Sequence, residues 1–378
     1  MKNITDIFVA IVLLFVVFAV PALGQGCVAI RPMGGGSCSL GLHDGNNTNS
    51  GLLQKGQWQV SGTYRYFESY KHYRGDVEQT ERVENGTQVI NTANSIDFNL
   101  TYALNNRVSL SLNVPLIHYD RSSLYEHYGN SKTTNPDQLR FHTGAKGIGD
   151  VRLAVSYWLF NPEKVMNGNI AVGLGIKAPL GNYNVKDNFH SRLRDGRDSV
   201  TLRAVDQSIQ LGDGGWGISL EVQAYQRLFN RGMLYFNGFY LSNPKNVNST
   251  LTRGTLTGAD PLIAYHSVAD QFAVRLGLNY VLLPKQHISV SFGARVEGIP
   301  AHDLVGASEG FRRPGYIISA EPGITYMKGK TTLLLTVPTA LYRNRIKSVY
   351  DLADPKGERH GDAAFADYLI NAGVVYRF

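Results

Sequence analysis

Sulfur is scarce in this chain, with two cysteines and five methionines in 378 residues. A thiolate-rich metal site is therefore excluded: around Cys27 and Cys38 only His43 and Asp44 could add ligands. Long apolar runs are also missing once the first twenty residues are passed, and the mean hydropathy is −0.16. That excludes a helical membrane protein, which needs about 20 consecutive apolar residues per span. Charge of one sign is not concentrated either. Lysine and arginine total 37 against 30 acidic residues, so the net charge of +7 is spread thinly and no nucleic-acid partner is expected. What is plentiful is glycine (40) and tyrosine (21), a composition that suits an all-β protein.

The first residues read as a targeting segment. Lys2 precedes an unbroken apolar run from Ile7 to Val20, and Ala22-Leu23-Gly24 offers a small-x-small cleavage site before Gln25. A retained anchor competes with this, but Pro21 and the small residues close the run where a cleaved signal ends. A lipoprotein reading through Cys27 fails because Leu23 lies one position too far from the cysteine. Residues 1–24 are thus expected to be a signal peptide. In an oxidising compartment Cys27 and Cys38 most simply form a disulfide.

From Gln57 onward, segments of strict period two recur. "QWQVSGTYRYF" sends Trp58, Val60, Tyr64 and Tyr66 one way, with Gln59, Ser61, Thr63 and Arg65 opposite. "NSIDFNLTY" sets Ile96, Phe98, Leu100 and Tyr102 against Asp97 and Asn99, and "RVSLSLNVP" behaves alike. Such alternation predicts strands with one apolar and one polar face. Twelve segments qualify, although 233–241 and 331–343 show no clean parity. The connections between them alternate long and short without exception: the shortest long one has 17 residues and the longest short one nine. Structureless loops of more than about 12–15 residues are unusual in a compact soluble domain. In a transmembrane β-barrel they are expected, with short turns on one side and long loops on the other. An even strand number returns both ends to the turn side.

The last stretch, "FADYLINAGVVYRF", fits this scheme. Tyr368, Ile370, Ala372, Val374, Tyr376 and Phe378 share a face, and hydrocarbon forbids an unpaired edge, so this strand must pair with the first. The pattern resembles the C-terminal strand by which the assembly machinery recognises bacterial outer-membrane β-barrels, with Tyr376 and Phe378 as the aromatic signal. The expected fold is a single all-β, antiparallel up-and-down barrel of about twelve strands over 57–378. Residues 25–56 precede it as a periplasmic segment, whose Gly-rich stretch is either a tail, the preferred reading, or a plug.

If the apolar rows face lipid, the opposite rows line the lumen. They carry Arg65, Asp97, Arg152, Lys177, Glu221, Arg275, Arg295, Glu297, Glu321 and Asp367, with Arg377 completing six cations against five anions. This near-neutral balance suggests a salt-bridged interior rather than a strongly ion-selective pore. The competing reading is the solvated face of a soluble β-sandwich; the loop-length alternation argues against it. Twelve strands lie between side-chain-filled and open barrels, so a narrow channel and a plugged one both remain.

Three motifs invite other readings. "GDGGWG" (212–217) matches a nucleotide-binding glycine pattern, but a polar loop precedes it and a strand follows, so turn chemistry is expected. His190-Ser191 and His266-Ser267 evoke nucleophilic catalysis, yet neighbours on an extended chain point apart, and no enzyme is expected. "HSRLRDGRDSVTLR" belongs to a loop, 179–215, whose five cations are matched by five aspartates. A mixed-charge surface loop follows, with lipopolysaccharide phosphates as an outside contact.

The stretch "GAKGIGDVRLAVSYWLFNPEKVMNGNIAVGLGIKAPLGNY" resembles the meta-pathway phenol-degradation family of outer-membrane proteins, through Gly147-Ile148-Gly149-Asp150 and Pro179-Leu180-Gly181. The resemblance implies a transport-type barrel for a small aromatic or hydrophobic solute. Expected partners are outer-membrane lipid and lipopolysaccharide, the barrel-assembly machinery and that solute; no cofactor or metal is expected. The alternative is a non-conducting barrel whose loops bind a surface partner.

Overall fold

A computed structural model of the protein describes residues 52–165 and 167–378. The signal segment and the Cys27–Cys38 pair lie outside the described residues. Twelve wall strands form one closed antiparallel barrel. In chain order they are β1 (Trp58–Arg74), β2 (Ile90–Ala103), β3 (Val108–Ser123) and β4, which has two segments, Phe141–Ile148 and Val151–Trp158. There follow β5 (Gly168–Ala178), β6 (Gly217–Phe229), β7 (Gly232–Ser242), β8 (Gln271–Leu283), β9 (Ile288–Ile299) and β10 (Gly315–Lys328). The eleventh, β11, is again in two segments, Thr331–Thr336 and Thr339–Asn344, and β12 (Ala363–Arg377) completes the wall. Each strand pairs with its sequence neighbours, and β12 returns to β1 with Gln59 opposite Arg377 and Tyr66 opposite Ile370. Two further backbone bonds join Trp58 and Phe378, so the seam is paired to its last residue.

Closure explains the inverted burial. Phe98, Leu112, Leu153, Leu174, Leu220, Phe292, Leu333 and Val374 are exposed, whereas Ser61, Asn99, Asn113, Arg152, Lys177 and Arg295 are buried. A water-soluble sandwich would show the reverse. Apolar outside and polar inside is what a hydrocarbon solvent requires, and a closed ladder leaves no unpaired backbone edge in it. Trp58, Tyr102, Tyr157, Tyr280, Tyr326 and Tyr376 collect at the turn end of the wall. Trp58 and Tyr102 lie with ring centroids 4.5 Å apart, and the Arg107 guanidinium sits 4.6 Å from the Tyr157 ring. Amphipathic rings at this level match an interfacial girdle.

Several strands run further than period two alone indicates. Beyond Pro115, β3 continues to Ser123, pairing with the first segment of β4, so the second long connection shrinks from 116–148 to 124–140. The apolar pattern stops earlier because His118 and Asp120 replace the outward row. The ladder thus outlives the hydrocarbon, which is what ends the lipid-facing pattern. β11 lacks clean parity because Val337-Pro338 interrupts it, and proline cannot donate to a ladder.

Candidate functional site

The third long loop, 179–216, carries a largely exposed hairpin of Lys186–Arg192 with Asp198–Ala204, and its segment 207–213 covers the lumen as a roof. Its root is built from the glycine motifs. Asp150, in the gap between the two segments of β4, accepts from Gly181 N at 3.0 Å and from Asp213 N at 3.1 Å. Lys177, at the end of β5, pairs with Asp213 and lies 3.8 Å from Asp150. The crossing is too tight for side chains: a Cβ at Gly181 would fall 2.7 Å from Leu211 O, and one at Gly149 would fall 2.7 Å from Ile117 Cδ1. Gly214 takes φ +77°, so the 212–217 glycines make a turn before β6.

Farther into the loop, the Asp206 side chain is 7% exposed and receives both terminal nitrogens of Arg313, at 2.8 and 2.7 Å, from the fifth long loop. Arg121, at the top of β3, lies 3.5 Å from the same carboxylate and bonds Glu126 at 2.8 Å. Burial alone would raise the Asp206 carboxyl, but Arg121 and Arg313 outweigh it and hold it well below the usual carboxylate range. Gln207 Nε2 donates to Ser267 O at 2.9 Å, and Asn248 Nδ2 to Asp213 O at 2.9 Å. The roof is therefore clamped to three neighbouring segments.

Beneath it is a chamber of about 160 Å³. Ile117, Phe239, Leu241 and Ile299 give it an apolar wall; Gln207, Gln271 and the Lys177–Asp213 pair give it polar ones. Its floor is Arg152, whose guanidinium stacks 4.5 Å from the Phe239 ring and lies 4.0 Å from Glu221. Below that, Arg275 pairs with Glu321, Arg295 lies 3.5 Å from Glu321, and Arg295 grips Glu297 through two bonds of 2.9 and 2.7 Å. All of these acids and Arg295 are buried, so the charges of neighbouring strands fill the barrel below the chamber.

No protein-family model matches the chain, and no curated protein matches it. Among solved structures, an outer membrane channel from Pseudomonas putida F1 aligns with a TM-score of 0.51, at 15% identity, over 88% of this chain and 99% of its own. The chain has the fold of an outer-membrane channel. The Pseudomonas putida toluene transporter TodX also aligns, at 12% identity over 94% of this chain and 98% of its own. The CymD monoaromatic hydrocarbon channel does so at 10% identity, over 95% and 98%. Their TM-scores are 0.44 and 0.41.

Within this channel fold the charged residues singled out by sequence fall into three groups. Arg152 and Lys177 line the chamber, with Glu221 behind Arg152. Arg275, Arg295, Glu297 and Glu321 form the network underneath. Arg65 and Asp97 are buried nearer β12, where Arg65 Nε donates to Asn371 Oδ1 at 3.2 Å. Asp367 differs from the inward row. It sits at a bulge between β12 and β1, its side chain is 30% exposed, and it pairs with Lys71 and Arg343 instead. The extra residue at the bulge resets the period of two, which sequence alternation could not register. Tyr376 and Phe378 stay exposed on the outer face, rings 5.9 Å apart.

His266 and Ser267 are both buried at the chamber's edge. Burial pushes the His266 imidazole down to about 4, so it is neutral at pH 7. Among the described residues no cluster of His, Cys, Asp and Glu could hold a metal ion. The roof clamp and the apolar chamber wall were missed by sequence reasoning. The wall had left a trace in "MLYFNGFYL", where both parities are apolar because Phe239 and Leu241 face inward.

Proposed function

We propose that the protein is a bacterial outer-membrane channel or transporter for small, apolar or aromatic solutes. The observation that carries this reading is a lipid-compatible barrel enclosing a chamber with one apolar wall, closed by a loop on one side and by paired charges on the other. Solute reaches the chamber when the third loop moves and leaves when the charged network beneath it rearranges. In this reading residues 1–24 direct export, Cys27 and Cys38 form a periplasmic disulfide, and Tyr376 and Phe378 serve the assembly machinery. The long loops face the lipopolysaccharide layer. Leu52 packs against Tyr225 and Met233.

The test is single-channel conductance of the refolded, signal-free protein in planar bilayers, repeated without residues 25–55. Steady conductance in the intact protein supports a diffusion channel, and conductance only after truncation makes the N-terminal segment a plug. Silence from both folded forms, together with no uptake of aromatic solutes into liposomes, would defeat the transport reading and favour a barrel whose loops bind a partner.

A further inference from the structure

We infer that the chamber is a selective site for neutral single-ring molecules carrying one hydrogen-bonding substituent, which Gln271 recognises, and that it rejects the corresponding anions. The inference rests on the transport reading and names the class of solute that the same site accepts.

Size comes first. An apolar protein cavity of about 150 Å³ accommodates benzene, and this chamber offers about 160 Å³. One six-membered ring with a small substituent fits this volume. Shape and polarity come next. The apolar wall of Ile117, Phe239, Leu241 and Ile299 would cover one side of a ring, whereas a hexose, polar around its whole edge, would lose hydrogen bonds there.

Charge decides the rest. Three cations line the chamber, and each already has a carboxylate. Lys177 pairs with Asp213 and Asp150, Arg312 takes Asp303 through bonds of 2.8 and 2.6 Å, and Arg152 lies 4.0 Å from Glu221. An anion entering this space would be stripped of water and would meet the Asp150 and Asp213 carboxylates that line it. A neutral polar group meets a different situation. Gln271, the first residue of β8, lies opposite Leu241 and lines the chamber. Among the described residues its side-chain amide has no hydrogen-bond partner. It can donate and accept at once, as a hydroxyl or carboxamide on the ring requires.

Benzamide and benzoate are nearly the same shape and differ in charge, so they make the test. Calorimetric binding to the refolded protein and uptake into protein-containing liposomes are measured for both, with toluene as the unsubstituted ring. Benzamide should bind and enter at least about tenfold better than benzoate. Gln271→Leu should lose that advantage while keeping toluene. Gln271→Lys, which adds an unpaired cation, should raise benzoate binding, and it keeps the question open to refutation should the leucine variant not fold. Equal handling of benzamide and benzoate with normal uptake would overturn the inference and leave the transport reading standing. Benzamide binding without uptake of any solute would do the opposite. Neither binding nor uptake, or a chamber holding water only, would remove both.

Discussion

Asp206→Asn is the most informative single change in the roof. The carboxylate is buried with Arg313 on one side and Arg121 on the other, while its Oδ1 also accepts from Ser208 N at 2.9 Å. Asparagine keeps an oxygen for the serine and nearly the same volume, but it loses the negative charge and turns the oxygen that accepts from Arg313 into a donor. It leaves Arg313 buried without its counterion, and breaking a buried pair in this way costs about 3–5 kcal/mol. Arg121 retains Glu126, which places the effect on the link to the fifth loop. If the closed roof bears this cost and the open one does not, the closed-to-open ratio falls by about 10²–10⁴. Hydrogen exchange over 205–212 should accelerate by a comparable factor, and bilayer recordings should show longer open intervals. Adding Arg313→Met removes the stranded cation and should restore part of the protection. Unchanged exchange and gating in Asp206→Asn would mean that the ion pair does not hold the roof, and the clamp argument would fail.

Acid should act on the same region through a different group. Asp206, held below its usual range, supplies stability at pH above the ordinary carboxylate value and loses it only as pH falls through its depressed value. His266 is depressed by burial from 6.5 to about 4, so its neutral form is favoured in the fold; stability is full above 6.5 and declines as pH falls towards 4, by roughly 3 kcal/mol. Loop exchange at 265–267 should therefore rise between pH 6.5 and 4 and stay flat in His266→Gln. On the wall, Leu174 is 60% exposed at the middle of β5, and Leu174→Arg should destabilise the bilayer-inserted barrel by about 2–4 kcal/mol in denaturant titrations. Deleting 363–378 strips both β1 and β11 of a partner, and heat-modifiable, inserted barrel should disappear from the membrane fraction. Normal insertion would refute the closing role of β12.

The wall was legible because lipid imposes a period of two on every strand it touches, and the chain keeps that period wherever hydrocarbon is adjacent. It was not legible above Pro115 in β3, where the outer neighbour changes from lipid to polar groups. The chamber was legible only in part. Asp150 and the glycines of its motif are close in sequence to Gly181, whereas Asp206 and Arg313 are 107 residues apart and belong to loops with no periodicity. Gln271 has no signature at all, since a glutamine opening a strand is unremarkable until the facing strand is known.

One carboxylate receives both ends of the third loop: Asp150 accepts from Gly181 where the chain leaves β5, and from Asp213 just before it enters β6. A flap tethered at two separate points could sag on one side and admit solute by degrees. Here both ends meet at one carboxylate, so once the Asp206–Arg313 and Gln207–Ser267 links let go, the leaf between them is expected to turn about a single pivot. Current through the barrel should then jump between two levels, like a hinged hatch, instead of grading continuously as a curtain would.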